Sequence, residues 1–206
     1  MSKTKYPVII FEGIEASGKS TNINNFSKYL KQNKYKFIKI REPGGSKNSE
    51  IIRKLILDNK STFSQKTDLL LYLAARSENV SILKKNYKKK IILLDRFVDS
   101  TIAYQHFGMG LSLKLINMIN NDLLKSIKID LTFLHLVSKS NLIKRLKDRK
   151  KLNRYDKFNF NFYDKVQKGF VKIAKKKPSK YSIVNSNLDI NFNKELIIKK
   201  IQKIIK

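Results

Sequence analysis

Gly13, Ile14, Glu15, Ala16, Ser17, Gly18, Lys19 and Ser20 carry the spacing G-x-x-x-x-G-K-S. Each constrained position has a chemical reason. Glycines let the backbone close around an anion, so that successive N–H groups and the start of a following helix point at it. The lysine reaches the outer phosphates of a polyphosphate, and the hydroxyl after it is a hard oxygen donor suited to Mg²⁺. Residues 13–21, Thr21 included, are therefore a candidate ATP cradle, with Lys19 as catalytic cation and Ser20 as metal ligand. Asp95 and Arg96 follow an all-apolar run at 91–94. A carboxylate straight after a buried strand stands where it can orient Mg²⁺, and Arg96 beside it would face an incoming phosphate.

A phosphate cradle alone marks a superfamily, since helicases, transport ATPases, GTPases and small kinases share it. Arg41-Glu42-Pro43-Gly44-Gly45 reads either as a plain turn, for which Pro-Gly-Gly is good material, or as a second functional loop. Arg53 falls on the polar side of an amphipathic helix. Tyr72 and Arg76 are four apart and share a helix face. A ring and a guanidinium suit a nucleobase; a packed tyrosine beside a surface arginine is the structural alternative. Arginine holds only seven of the 45 Lys+Arg positions. Abundant Lys, Ile and Asn point to an AT-rich coding sequence, so a position that still holds arginine is one that needs the planar, bidentate fork.

These residues need elements to position them. Short apolar or alternating runs at 7–11, 37–40, 91–94, 131–137 and 182–184 read as five strands. Helical spacing fills 20–34, 48–57, 67–87, 112–124, 140–151, 160–176 and 194–205. Strands interleaved with helices predict one α/β domain over residues 1–206, a five-stranded parallel sheet covered on both faces. Such sheets bind ligands at the carboxyl ends of their strands, where the loops after Phe11, Ile40 and Leu94 would lie. Six of the seven glycines fall in three short segments, marking loops with unusual backbone needs. His135, in mid-strand, reads as core, and the basic C-terminal helix as packed on the sheet.

The chain has no cysteine, which removes disulfides and thiolate chemistry. The apolar run after Met1, Ser2 and Lys3 is too short for a signal peptide, and 69–75, the longest apolar stretch, is far short of a membrane span. A cytoplasmic protein without a membrane partner is the expectation. The net charge of +29 suggests nucleic acid, but the lysines are spread along the whole chain, and a solvated surface explains them.

Over nearly its whole length the sequence resembles the thymidylate kinases of bacterial type. The resemblance is carried by Phe11-Glu12-Gly13, Arg41-Glu42-Pro43-Gly44-Gly45, Ala74-Ala75-Arg76, Asp95-Arg96-Phe97-Val98-Asp99-Ser100, Ala103-Tyr104-Gln105, Asp130-Leu131-Thr132 and Asn153-Arg154-Tyr155-Asp156. It implies a three-layer α/β/α sandwich with a basic lid at about 146–158, a homodimer, and phosphorylation of dTMP to dTDP by MgATP in dTTP synthesis. It implies roles as well. Glu15 would hold the 3′-hydroxyl of dTMP, and Arg96, helped by Arg53, its phosphate. Tyr72 would stack on thymine, while Arg76 and Gln105 hydrogen-bond it, with Ser100 and Thr101 nearby. Tyr104 would crowd the 2′ position. Glu42 and Pro43, across a bent peptide, would complete the acceptor side. Ser20 and Asp95 would hold Mg²⁺. Glu15 and Ala16 leave the cradle without a basic residue, so the lid arginines Arg149 and Arg154 would supply the catalytic cation. His106 departs from the family's usual glycine and Ile129 from its usual proline. Other nucleoside monophosphate kinases, deoxynucleoside kinases and a basic nucleic-acid-binding ATPase are the alternatives. The first usually carry a Pro-Gly pair in the cradle that is absent here, and the second would need a general base.

Overall fold

Strand β1 (Val8–Gly13) is buried at every position, because it lies in the middle of the sheet. The computed structural model describes residues 4–205; Met1, Ser2, Lys3 and Lys206 lie outside them. Strands β2 (Phe37–Arg41), β3 (Ile91–Asp95), β4 (Leu131–Leu136) and β5 (Tyr181–Asn185) join β1 in the order β2-β3-β1-β4-β5. Every pairing is parallel, as the interleaved pattern predicts.

Alternate side chains of a strand point to opposite faces, and the two faces bury different helices. Ile9, Phe11, Leu93 and Phe133 pack on one face with Ile23, Phe26 and Leu30 of α1 (Lys19–Gln32) and Ile197 and Ile201 of α8 (Ile190–Gln202). Val8, Ile10, Ile92 and Leu94 pack on the other with Leu83 of α3 (Gln65–Asn86). Helices on both faces make three layers. The basic C-terminal helix is one of them, and among the described residues no helix is long and apolar enough to cross a membrane. His135 is fully buried, and burial, with Lys19 nearby, lowers its pKa to about 3.

The remaining helices are α2 (Lys47–Leu57), α4 (Val98–Thr101), α5 (Leu113–Leu124), α6 (Lys139–Lys147) and α7 (Phe160–Lys176). Some limits differ from expectation. The helix expected over 140–151 stops at Lys147, and 148–153 are not helical. The last helix starts at Ile190, four residues early, because the Asp189 carboxylate accepts from the N–H groups of Asn191 and Phe192 and caps it. A π-helical turn, Ile102–Gly108, continues α4 without a break and carries Tyr104 and Gln105. Its widened turn is not visible in hydrophobic spacing. It packs on α7, where Gly169 leaves room for the Phe107 ring; a Cβ there would stand 2.7 Å from Phe107 Cδ2.

Candidate active site

The carboxyl ends of β1, β2 and β3 open into one cleft of about 500 Å³. On its donor side Gly18, at φ 82°, turns the chain from the cradle into α1. Lys19 Nζ curls over the loop, donating to Gly13 O at 2.9 Å, Ile14 O at 2.7 Å and Ser17 Oγ at 3.3 Å. Burial, and then the Arg96 charge, lowers its pKa to about 7; an arriving polyphosphate would raise it again. Ser20, Thr21 and Asp95 line the same cleft. Among the described residues no group of three or more His, Cys, Asp or Glu side chains could hold a metal. A hydroxyl and one carboxylate suit a hard ion that keeps most of its shell as water and substrate phosphate oxygen, which is how Mg²⁺ binds.

Across from the cradle, Arg96 leaves β3 with φ 69°. Its guanidinium donates to Gly13 O at 2.8 Å, Ser100 Oγ at 3.2 Å and Glu15 Oε1 at 2.8 Å. It lies 5.3 Å from the centroid of the Tyr104 ring. The Tyr104 hydroxyl donates to the other Glu15 oxygen. One arginine thus joins the cradle backbone to the Glu15–Tyr104 pair. Beneath it, fully buried Glu12 accepts from Phe97 N at 2.8 Å, Ser100 N at 3.2 Å and Ser100 Oγ at 2.5 Å. Burial, and then the Asp99 charge, raises the Glu12 pKa to about 7.

Arg76 is only 2% exposed, which excludes the surface-arginine alternative. Its nitrogens donate to Glu42 Oε2 at 2.8 Å, Asn120 Oδ1 at 2.7 Å and Thr101 Oγ1 at 3.1 Å. Glu42 precedes a cis peptide to Pro43, and its second oxygen has no hydrogen-bond partner among the described residues. Arg53 Nη1 donates to Pro43 O at 2.7 Å. The Arg41 segment is therefore more than a turn, although Arg41 itself makes an exposed bidentate pair with Glu50. Tyr72 meets Tyr155 edge-on at 5.8 Å.

Most of the sequence-predicted residues converge on this cleft: 15–21, Glu42, Pro43, Arg53, Tyr72, Arg76, Asp95, Arg96, Ser100, Thr101, Tyr104, Gln105 and Arg149 all line it. Gly13 and Ile14 lie behind it, offering carbonyls to Lys19. Arg149 and Arg154, the two arginines expected in a lid, part company. Arg149 faces the cleft and pairs with Asp156. Arg154 is not among the lining residues and donates to Asp68 Oδ1 at 2.6 Å and Ser61 O at 3.4 Å. Sequence reasoning passed over Glu12, Asn120, Tyr155 and Arg145. Arg145 donates to Ala16 O at 3.1 Å and Ser186 O at 2.6 Å, strapping the cradle to the end of β5. The scarcity of arginine was signal enough to find it. Glu12 and Tyr155 stood in segments that carry the family resemblance but were given no role, and Asn120 carried no signal, since its partner is distant in sequence.

A parallel sheet with a phosphate cradle after its central strand, and a second set of arginines facing that cradle, defines a P-loop phosphotransferase. The model of the thymidylate kinase family matches residues 11–197, and the chain belongs to that family. It is 33% identical over 193 residues to the thymidylate kinase of Kosmotoga olearia, 93% of each chain. It is 35% identical over 198 residues to that of Acholeplasma laidlawii, 95% of this chain and 98% of the relative. The crystal structure of thymidylate kinase from Ehrlichia chaffeensis superposes with a TM-score of 0.77 at 33% identity, covering 96% of this chain and 99% of that one.

Proposed function

We propose that the chain phosphorylates dTMP to dTDP with MgATP, in dTTP synthesis. The observation that supports this best is the single cleft in which Arg96 bridges the cradle carbonyl of Gly13 and the Glu15–Tyr104 pair. An anion held by Arg96 lies against whatever the cradle holds. The acceptor is already an anionic phosphate, so the reaction needs in-line positioning and charge neutralisation and no general base.

In this reading residues 13–21 wrap the ATP phosphates, and Lys19 neutralises their outer oxygens. Ser20 and Asp95 hold Mg²⁺, which supplies further neutralisation when bound. Arg96 and Arg53 take the dTMP phosphate. Glu15 accepts the 3′-hydroxyl, and Tyr104, held by Glu15, blocks a 2′-hydroxyl. Tyr72 stacks on the base. Arg76, held by Glu42 with Thr101 and Ser100 beside it, and Gln105 read the base edge. Arg149 is the lid cation. The working unit is a homodimer in the cytoplasm: exposed Ile51 and Leu55 of α2 and Leu70 of α3 offer apolar surface for a second copy. Nucleic acid and membrane are not partners.

A coupled ADP-release assay over a panel of nucleoside monophosphates tests the substrate. dTMP should lead, and Lys19→Ala should abolish turnover while leaving the thermal transition in place. Failure to form a diphosphate from any pyrimidine deoxynucleotide would reject the reading. A DNA gel shift at moderate salt separates it from a nucleic-acid-dependent ATPase, and light scattering reads the oligomer.

A further inference from the structure

We infer that Asp68 is the positioning residue that docks the lid segment onto the acceptor side of the cleft, and that Arg154 is its strut. The inference rests on the proposed reading of the cleft. Asp68 stands in the first turn of α3, one turn before Tyr72 and two before Arg76, and is 5% exposed. An acid in a first turn usually faces the helix amides. Here Ser64 already caps α3 through Thr67 N, and both Asp68 oxygens turn to the lid. Oδ1 accepts from Arg154 Nη2 at 2.6 Å and Oδ2 from the Tyr155 hydroxyl at 3.4 Å.

Asp68 is not among the lining residues, but Tyr155 is. Tyr155 is 3% exposed and sets its ring edge-on to Tyr72, and to Tyr104 at 6.0 Å. Its hydroxyl also accepts from Gln105 Nε2 at 3.4 Å. One lid residue therefore touches three residues assigned to the acceptor, and Asp68 fixes its hydroxyl. The same short 3₁₀ turn, Arg154–Lys157, carries Asp156, which accepts from Asn153 N at 3.0 Å and holds Arg149. Docking this turn on α3 thus sets both a wall of the acceptor pocket and the arginine that faces the phosphates. Both Asp68 and Arg154 are largely buried, with side chains 6% and 18% exposed, so removing either partner strands a desolvated charge.

The test uses the full chain with Asp68→Asn, Asp68→Glu, Arg154→Gln and the Asn/Gln double variant. Lys150 and Lys151 are exposed lid residues and report lid docking by their rate of tryptic cleavage without nucleotide. In Asp68→Asn the rate should rise about tenfold, the worth of one charge-assisted hydrogen bond. KM for dTMP should rise by a similar factor, and kcat should fall by no more than that factor, since the same turn holds Arg149, with KM for ATP changed less than about threefold. Arg154→Gln should match it, the double variant should add little, and Asp68→Glu should restore most of the effect. Wild-type cleavage rates and KM for dTMP in Asp68→Asn, or in Arg154→Gln should the first variant not fold, would overturn the inference. So would a kcat loss of roughly three powers of ten confined to Arg154→Gln, which would return that arginine to the chemistry. If the wild-type chain turns over no pyrimidine deoxynucleotide, the substrate reading fails, while the nucleotide-free cleavage rates still decide the role of Asp68.

Discussion

Arg96 occupies the left-handed region at φ 69°, which costs a non-glycine residue roughly 1–3 kcal/mol and persists only where its surroundings over-determine it. Glu12 supplies those surroundings by gathering Phe97 N, Ser100 N and Ser100 Oγ. The guanidinium itself makes three bonds in different directions, which an ammonium cannot reproduce in one plane. Arg96→Lys should therefore lower kcat/KM for dTMP by roughly three powers of ten. Lys90→Ala, at the far end of β3, should change it less than about twofold. Steady-state kinetics would show it, and equal losses would reject the role of the fork. Glu12 predicts a pH dependence as well. Its folded pKa of about 7 lies above the ordinary glutamate value of 4.5, so the folded state binds the proton more tightly. Stability from this group is complete below pH 4.5 and is lost as pH rises through about 7. Glu12→Gln carries no titrating proton, so its stability relative to the parent should climb between pH 5 and pH 8 by about 2–3 kcal/mol, read as a growing difference in melting temperature. A difference that is flat with pH would contradict a protonated Glu12.

At the scale of elements, the existence of every strand and of the long helices was legible because alternation and 3.6-residue spacing are local patterns. Their ends were less so. The early start of α8 depends on Asp189 as cap, a signal present in the sequence but outweighed by the apolar spacing further on. The π-helical turn was not legible, since its widening follows from packing against α7. That packing gives a prediction opposite in sign to helix propensity. Replacing glycine by alanine inside a helix normally stabilises by about 1 kcal/mol. At Gly169 the new methyl would meet Phe107 Cβ at 2.8 Å and Cγ at 2.8 Å, atoms that cannot swing away without the backbone. Gly169→Ala should destabilise by about 1–3 kcal/mol and, by pushing on the turn that carries Tyr104, should raise KM for dTMP. Thermal unfolding and kinetics would check both; a stabilised variant would show that Phe107 yields.

For the whole molecule the dominant number is the net charge of +29. Charge spread over the surface repels itself, and salt screens that repulsion within about 10 Å at 0.1 M. The melting temperature should therefore rise by about several degrees between low salt and 0.3 M NaCl, measurable by calorimetry. A falling melting temperature would mean that the exposed lysines are engaged in attractive pairs. Within the nucleotide cleft two arginines are matched by carboxylates, Arg76 to Glu42 and Arg96 to Glu15, while Arg53 and Arg145 donate to backbone carbonyls.

The amino-acid sequence by itself determined the phosphate cradle, the positions of Asp95 and Arg96 after a buried strand, and the parallel layered architecture. Each of these rests on spacing within a few residues, where the chain's own geometry decides. Tertiary structure alone decided that Arg76 is buried between Glu42 and Asn120, that Glu12 underpins the loop of Arg96, and that Arg154 turns to Asp68 while Arg149 faces the cleft. Those contacts join residues 34, 44, 85 and 86 positions apart. No local preference specifies such a meeting, because it exists only once the sheet has brought the strand ends and the lid together.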